Sequence, residues 1–504
     1  MKDTRKDGKV MRAGGILLPI FSLPSPYGIG SFSQSAYEFI DQLKKAGQKY
    51  WQILPLGPTG YGDSPYQSFS AFAGNPYFID LDSLAEEGLL KKEEYIHCDF
   101  GSRPDRVDYQ KLYENRFPLL RKACERSTFC AEPEFLEFRE ENREWLEDYS
   151  LFMAVKNHFQ GKSWISWDDD IRMRKPEALE KYSEECRDEI IFYQFLQYKF
   201  SVQWKKVKAY ANNAGISIIG DIPIYVALDS ADSWAHPELF QFDENHMPSR
   251  VAGCPPDAFS ADGQLWGNPL YDWDYHEKTA YSWWKKRIAH CMKLYDVVRV
   301  DHFRGFDEYY SIPYGARTAA AGSWMPGPGM KLFRALKEEL GDAQIIAEDL
   351  GYLTESVEAL VRDSGYPGMK VIEFAFDSRE AGNYMPYNYT KNCVVYTGTH
   401  DNQTLQGWFP ELSEEDRILA ADYLGFDPKD TEQLHWKFIR LALGCVADTA
   451  VIAMQDYLGL GPEARMNQPS TLGSNWCWRL TPGQIKDDLV EKIYRLMDVY
   501  GRLL

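Results

Sequence analysis

Three carboxylates stand where three short apolar runs end. Val297-Val298-Arg299-Val300 leads into Asp301 and His302, and Ile345-Ile346-Ala347 leads into Glu348 and Asp349. Val394-Val395-Tyr396-Thr397-Gly398-Thr399 leads into His400 and Asp401. β-Branched runs of this length, bounded by turn residues, predict strands buried on both faces of a parallel sheet. In a parallel barrel such strand ends open into one shared mouth, where side chains from different strands meet. A single Asp after a strand is an ordinary turn or helix-capping residue. Three such ends, two with an adjacent His and one with an Arg two residues upstream, predict chemistry instead. Retaining cleavage of a glycosidic bond needs a carboxylate nucleophile and an acid that recovers its proton. The third carboxylate would orient the sugar.

Strand alternation places Arg299 and Asp301 on the same face, toward a barrel interior. There the guanidinium would hold Asp301 ionised and oriented, as a nucleophile must be. Glu348 ends an apolar strand, so burial and nearby carboxylates should raise its pKa, which suits a group that gives and regains a proton. His400 and Asp401 read as a binding pair for sugar hydroxyls.

The elements that must position these groups are legible. Strand candidates fall at 15–20, 49–54, 216–221, 296–301, 344–348, 370–374, 393–397 and 450–454. Between them lie helical patterns. Ser35 is expected to cap a helix with Ala36, Phe39, Ile40 and Leu43 on its apolar face, ended by Gly47. Leu332, Phe333, Leu336 and Leu340 repeat the pattern before Gly341, and Val357, Leu360 and Val361 before Gly365. Eight strands alternating with helices predict an α/β fold, a TIM (β/α)8 barrel spanning residues 1–504 as one catalytic domain. Two connections are too long for βα loops. Residues 56–215 should form a largely helical insertion subdomain, and residues 225–295 a second, both at the C-terminal mouth. The stretch beyond the eighth strand is too short for a C-terminal β-sandwich domain.

Aromatic residues make up 15% of the chain, and Tyr61, Tyr66, Trp266 and Trp324 fall in Gly/Pro/Asn-rich stretches that read as loops. Rings so placed suit stacking on flat apolar faces, which a pyranose presents. The formal net charge of −19 without a basic block argues against nucleic acid and anionic membranes as partners. Nine scattered cysteines show neither metal-ligand nor disulfide-framework spacing, so neither metal nor cofactor is expected, and reduced thiols point to the cytoplasm. The basic N-terminus before Gly14-Gly15-Ile16-Leu17-Leu18 superficially resembles a signal peptide, but Pro19 interrupts a short run. No segment approaches the roughly 18 apolar residues that span a bilayer.

With these residues in place, further fragments carry a resemblance. They are Tyr61-Gly-Asp-Ser-Pro-Tyr66-Gln, Gly220-Asp221-Ile-Pro-Ile-Tyr225-Val, and Pro255-Pro256-Asp257 followed by Gly263-Gln264-Leu265-Trp266-Gly267-Asn268-Pro269. Others are Arg299-Val-Asp-His302-Phe-Arg304-Gly, Ala347-Glu348-Asp349-Leu350-Gly351, Pro367-Gly368-Met369-Lys370, Thr399-His400-Asp401-Asn402 and Ala464-Arg465-Met466-Asn467. In this order, over essentially the whole chain, the sequence resembles the 4-α-glucanotransferases, the amylomaltase or disproportionating-enzyme family of the α-amylase clan. One departure is Cys254, where the pattern would have Ala or Val.

The resemblance implies transfer of an α-1,4-glucan segment to the 4-hydroxyl of an acceptor glucose or glucan, with maltooligosaccharides as donors and acceptors. It implies Asp301 as nucleophile, Glu348 as acid/base and Asp401 as stabiliser of the distorted sugar. Arg299, His302 and His400 fall on its sugar-binding positions, and Asp221 on a position supporting them. Gln264, Trp266 and Asn268, with Asp257, fall in a loop folded over the bound chain. Tyr66 matches an aromatic platform near the cleavage point and Tyr61 a more remote contact. It also implies a compact form, without a large N-terminal extension or appended starch-binding modules. Two alternatives remain: an α-amylase-type hydrolase on the same fold, and a non-catalytic glucan-binding protein. The hydrolases usually carry a β-sandwich, and a binding protein would tolerate loss of a carboxylate; all three are present.

Overall fold

Eight short strands hydrogen-bond side by side, all parallel, in the computed structural model. The structure describes residues 5–503 except 7, 8, 11, 257–261, 352 and 379–383. The strands are β1 (Ala13–Leu17), β2 (Tyr50–Gln52), β3 (Ser217–Pro223), β4 (Val297–Asp301), β5 (Ile345–Ala347), β6 (Gly368–Val371), β7 (Cys393–Tyr396) and β8 (Thr449–Ala453). Their order is β5-β4-β3-β2-β1-β8-β7-β6. The remaining seam joins β5 to β6: Ala347 N donates to Pro367 O at 2.9 Å, and Met369 N donates to Asp349 Oδ1 at 2.6 Å. The sheet thus curls into a (β/α)8 barrel. Every residue of β1, β7 and β8 is buried, as continuous apolar runs covered on both faces require.

Helices cover the outside. The helix Gln34–Lys45 buries Ala36, Phe39, Ile40 and Leu43. Its N-cap position is Ser33, whose backbone is extended, rather than Ser35, which already lies within the first turn. The helix Met330–Leu340 buries Leu332, Phe333 and Leu336. Thr354 accepts from Val357 N to start the helix Glu355–Ser364, and Gly365 ends it in the left-handed region at φ 75°, where a side chain would be strained.

Between β2 and β3 the chain is mostly helical, with Tyr109–Arg126, Arg143–His158 and Arg187–Asn213 its longest helices. Between β3 and β4 it makes the strands Arg250–Cys254 and Gln264–Pro269 and the helix Ser282–Leu294. Those two strands join Glu308–Pro313 and Ser323–Pro326 in a four-stranded antiparallel sheet. The loop expectation for Trp266 and Trp324 is therefore corrected, since both lie in strands. Gly253, Gly263 and Gly267 and a register shift between Val251 and Gly253 interrupt the alternation that would announce strands. The four segments become one sheet only when Arg250–Cys254 pairs with Glu308–Pro313, far along the chain. After β8, the described residues make helices and turns, the longest being Asp487–Val499. Arg502 then donates to Ala13 O at 3.0 Å and Leu443 O at 2.9 Å, tying the end of the chain to β1.

Candidate active site

Register sets the centre of the site. β3 and β4 pair with Asp221 beside Arg299 and Pro223 beside Asp301. Arg299 and Asp301 are two residues apart, so both point inward with Asp301 nearer the mouth. Arg299 Nη1 lies 2.8 Å from each Asp221 oxygen, and its Nη2 lies 3.0 Å from Asp301 Oδ1. Asp221 is wholly buried; burial pushes its pKa up and the Arg299 charge opposes that rise. Asp301 is about a third exposed at the side chain, at 31%. One guanidinium therefore grips a buried carboxylate below and an accessible one above, and Met369 Sδ closes its remaining side at 3.3 Å from Nε.

Glu348 comes directly after β5, next to β4 in the barrel. Its Oε2 accepts from His302 N at 2.6 Å and its Oε1 from Leu350 N at 2.8 Å. His302 makes the first bond by taking the left-handed conformation, φ 56° and ψ 48°, a costly state for a non-glycine residue that a packed site can enforce. Burial foremost, then the neighbouring Asp301 charge, raise Glu348 to about 8, against the lowering pull of Arg299 and the two backbone donors. Near neutral pH this carboxyl carries its proton. Burial likewise lowers His302 to about 4, leaving a neutral imidazole whose Nε2 has no partner among the described residues.

The third carboxylate is placed by the turn after β7. His400 Nε2 lies 3.5 Å from Asp401 Oδ1, and Asn467 Nδ2 donates to the same oxygen at 2.6 Å. Arg465 bridges Asp401 O and Asn467 O, both at 2.8 Å. Tyr66 stacks on His400 with ring centroids 5.0 Å apart and donates its hydroxyl to Asp221 Oδ2 at 2.8 Å. This one ring thus links the Asp221–Arg299–Asp301 chain to the His400–Asp401 pair. Sequence alone gave Asn467 and Arg465 no role, although Ala464-Arg465-Met466-Asn467 stands out as a motif.

The antiparallel sheet supplies the mouth's wall. Trp266 meets His302 edge-on at 4.8 Å, and its Nε1 donates to Gln264 Oε1 at 3.0 Å. Asn268 is buried, donates to Val226 O at 2.7 Å and receives Gln67 Nε2 at 3.3 Å, so it braces the wall. Tyr225, which carried no assignment, packs against both Trp266 and His302, at 6.3 and 6.4 Å. The structure therefore gathers Asp221, Arg299, Asp301, His302, Glu348, His400, Asp401, Tyr66 and Trp266 through direct contacts, with Gln264 bonded to Trp266 and Asn268 tied to Val226 and Gln67. Tyr61 opens the 3₁₀ turn Tyr61–Asp63; its side chain, like Asp257 as a whole, lies outside the described residues.

A protonated carboxyl beside an accessible, guanidinium-held carboxylate, ringed by aromatic and amide groups, is equipped for proton donation and attack at a sugar carbon. Comparison with known proteins gives the family. A family model described as 4-alpha-glucanotransferase matches residues 18–485. A 4-alpha-glucanotransferase of Clostridium butyricum is 53% identical over 485 residues, covering 96% of this chain and 99% of that protein. One from Thermus thermophilus is 46% identical over 501 residues, covering 98% and 99%. The amylomaltase from Streptococcus agalactiae in complex with acarbose matches with a TM-score of 0.94 at 43% identity, covering 98% of this chain and all of that one. By family match and relatedness alike, the chain belongs to the 4-alpha-glucanotransferase family.

Proposed function

We propose that this chain transfers segments of α-1,4-glucans between maltooligosaccharides by retaining double displacement, with Asp301 as nucleophile and Glu348 as acid/base. One observation carries the reading: the half-buried Glu348 accepts from the backbone N–H of His302, the residue next after Asp301, in surroundings that raise its carboxyl to about 8. In the first step Glu348 gives its proton to the glycosidic oxygen while an Asp301 oxygen attacks C1 from the opposite face. The bond to the leaving chain breaks, that chain departs with a free 4-hydroxyl, and a glycosyl ester remains. In the second step Glu348, now ionised, takes the proton of an acceptor 4-hydroxyl. That oxygen attacks C1, Asp301 leaves, and the configuration is retained.

The other residues serve these steps. Asp401 and His400 hold hydroxyls of the sugar at the cleavage point and favour its distortion, and Asn467 fixes the Asp401 carboxylate for that purpose. Arg299 orients Asp301, with Asp221 anchoring Arg299. The unpartnered His302 Nε2 takes a sugar hydroxyl. Tyr66 and Trp266 stack on sugars at either side, with Gln264 and Asn268 supporting Trp266. Tyr61 and Asp257 contact the chain farther out. Residues 56–215 and 225–295 act as two insertion subdomains walling the cleft. The free thiols of Cys186, Cys291 and Cys393 support a cytoplasmic enzyme; among the described residues no helix is long and apolar enough to cross a membrane.

A product ladder from maltotriose tests the reading. Glucose should appear together with maltopentaose and longer chains, with little net gain of reducing ends. Glucose and maltose alone, with reducing ends rising in step, would instead make the chain a hydrolase.

A further inference from the structure

A cavity of about 690 Å³ lies between the helices Arg143–His158 and Ser282–Leu294, and no residue of the catalytic cluster lines it. That volume falls within the range of built small-molecule sites. Phe72, Trp145 and Tyr275 line it with half-buried rings. Phe72 and Trp145 lie nearly parallel, 13° apart with centroids separated by 6.4 Å, and His290 meets them edge-on at 5.4 and 5.7 Å. His290 Nε2 contacts Phe72 O at 2.9 Å. A carbonyl only accepts, so that nitrogen carries the hydrogen. Burial holds the ring neutral by lowering it to about 4, which leaves Nδ1 as an acceptor.

The rim is polar. Lys286 Nζ pairs with a Glu144 oxygen at 2.6 Å, clasping the two helices across the opening. Asp148, Asp232 and Glu238 also line the cavity. Carboxylates outnumber the cations Arg143, Lys286 and Lys293 there, which disfavours a phosphorylated or otherwise anionic ligand. Flat rings flanked by many acceptors suit a neutral, hydroxyl-rich one.

The groove is also joined to the active site by one stretch of backbone. Residues 66–72 begin at Tyr66, in the catalytic cluster, and end at Phe72, in the groove. They are pinned midway, where Ala71 N donates to Asp232 Oδ2 and Ala231 N to Phe69 O, both at 2.8 Å.

We propose that this groove is a second carbohydrate-binding site that holds a stretch of α-1,4-glucan outside the catalytic mouth. The assignment rests on the reading of the chain as a glucan-processing enzyme.

The test labels the tryptophan indoles with ¹⁵N in Asp301→Asn protein, which binds without turnover, and titrates it with maltoheptaose. Trp145→Phe and Trp266→Phe assign the two resonances. Shifts of both the Trp145 and Trp266 signals are expected. If Trp266 moves to saturation while Trp145 stays still, the groove is not a glucan site and the catalytic reading stands. If neither moves, both fail; if Trp145 alone moves, the groove holds and the catalytic reading fails. In otherwise unaltered enzyme, Trp145→Ala should lower the ratio of kcat/KM on long amylose to that on maltotriose about tenfold, the effect of losing one apolar platform. Trp145→Phe should restore the ratio. A ratio unmoved by Trp145→Ala would overturn the proposal.

Discussion

The backbone N–H of His302 donates to Glu348 Oε2 at 2.6 Å, so the residue next after Asp301 holds the Glu348 carboxyl in place. The proposed nucleophile and acid are thereby set by adjacent strand ends. A retaining pair needs a carboxyl separation of about 5–5.5 Å, and a strand-end peptide between the two groups is a rigid way to keep it.

Asp301→Asn should abolish transfer, because an amide cannot form the glycosyl ester. The fall in kcat should be on the order of a million-fold, as for other lost nucleophiles. Thermal unfolding should remain cooperative. Substantial residual activity with the fold intact would assign the nucleophile elsewhere.

Glu348 makes activity and stability depend on pH. The first step needs its protonated form, so kcat should fall about tenfold per pH unit above about 8. For stability, its folded pKa stands above the ordinary value of 4.5. Between those values the unfolded chain releases the proton and the native state keeps it, so this group's contribution declines as pH rises and is lost once pH passes about 8. Glu348→Gln should thus be inactive yet gain in melting temperature relative to the parent as pH rises from 5 to 8. A constant difference across that range would show that Glu348 is not buried in its protonated form.

Asp221→Asn should act on both stability and rate. It strips the buried anchor from Arg299, and breaking a buried ion pair costs about 3–5 kcal/mol. The remaining bond to Asp301 places the expected loss at the lower end, read from the urea midpoint. Transfer should fall as well, because the guanidinium is then held only by the nucleophile. Unchanged stability would mean that Arg299 has another partner.

Trp266→Ala addresses how a sugar hydroxyl outcompetes water for the intermediate. A covered ring contributes about 1–3 kcal/mol through apolar area, roughly tenfold to a hundredfold in acceptor preference. The hydrolysis-to-transfer ratio should rise, measured on maltotriose as reducing ends gained against chains redistributed. Parallel loss of both activities would make Trp266 a donor-binding or packing residue.

Much of the barrel was legible because parallel strands buried on both faces must be continuously apolar. The runs ending at Asp301, Glu348 and Asp401 carry that mark, and the helix stop at Gly365 carries its own in a residue suited to left-handed backbone. The Arg299–Asp301 pairing also comes from two-residue alternation alone. The strands holding Trp266 and Trp324 carried no such mark. The first contains Gly267 and the second spans only Ser323–Pro326, and each is the edge of a sheet that forms only when Arg250–Cys254 pairs with Glu308–Pro313.

The sequence by itself determined the strand ends, the carboxylates on them and the family they resemble, because these depend on local periodicity and on residue type. Tertiary structure alone decided who holds whom. Arg299 grips Asp221 as well as Asp301, Tyr66 joins Asp221 to His400, and Asn467 fixes Asp401. Those bonds join β3 to β4, an early insertion to the barrel, and a segment beyond β8 to the turn after β7. No local pattern encodes such distances; they arise only when the strands close in one register.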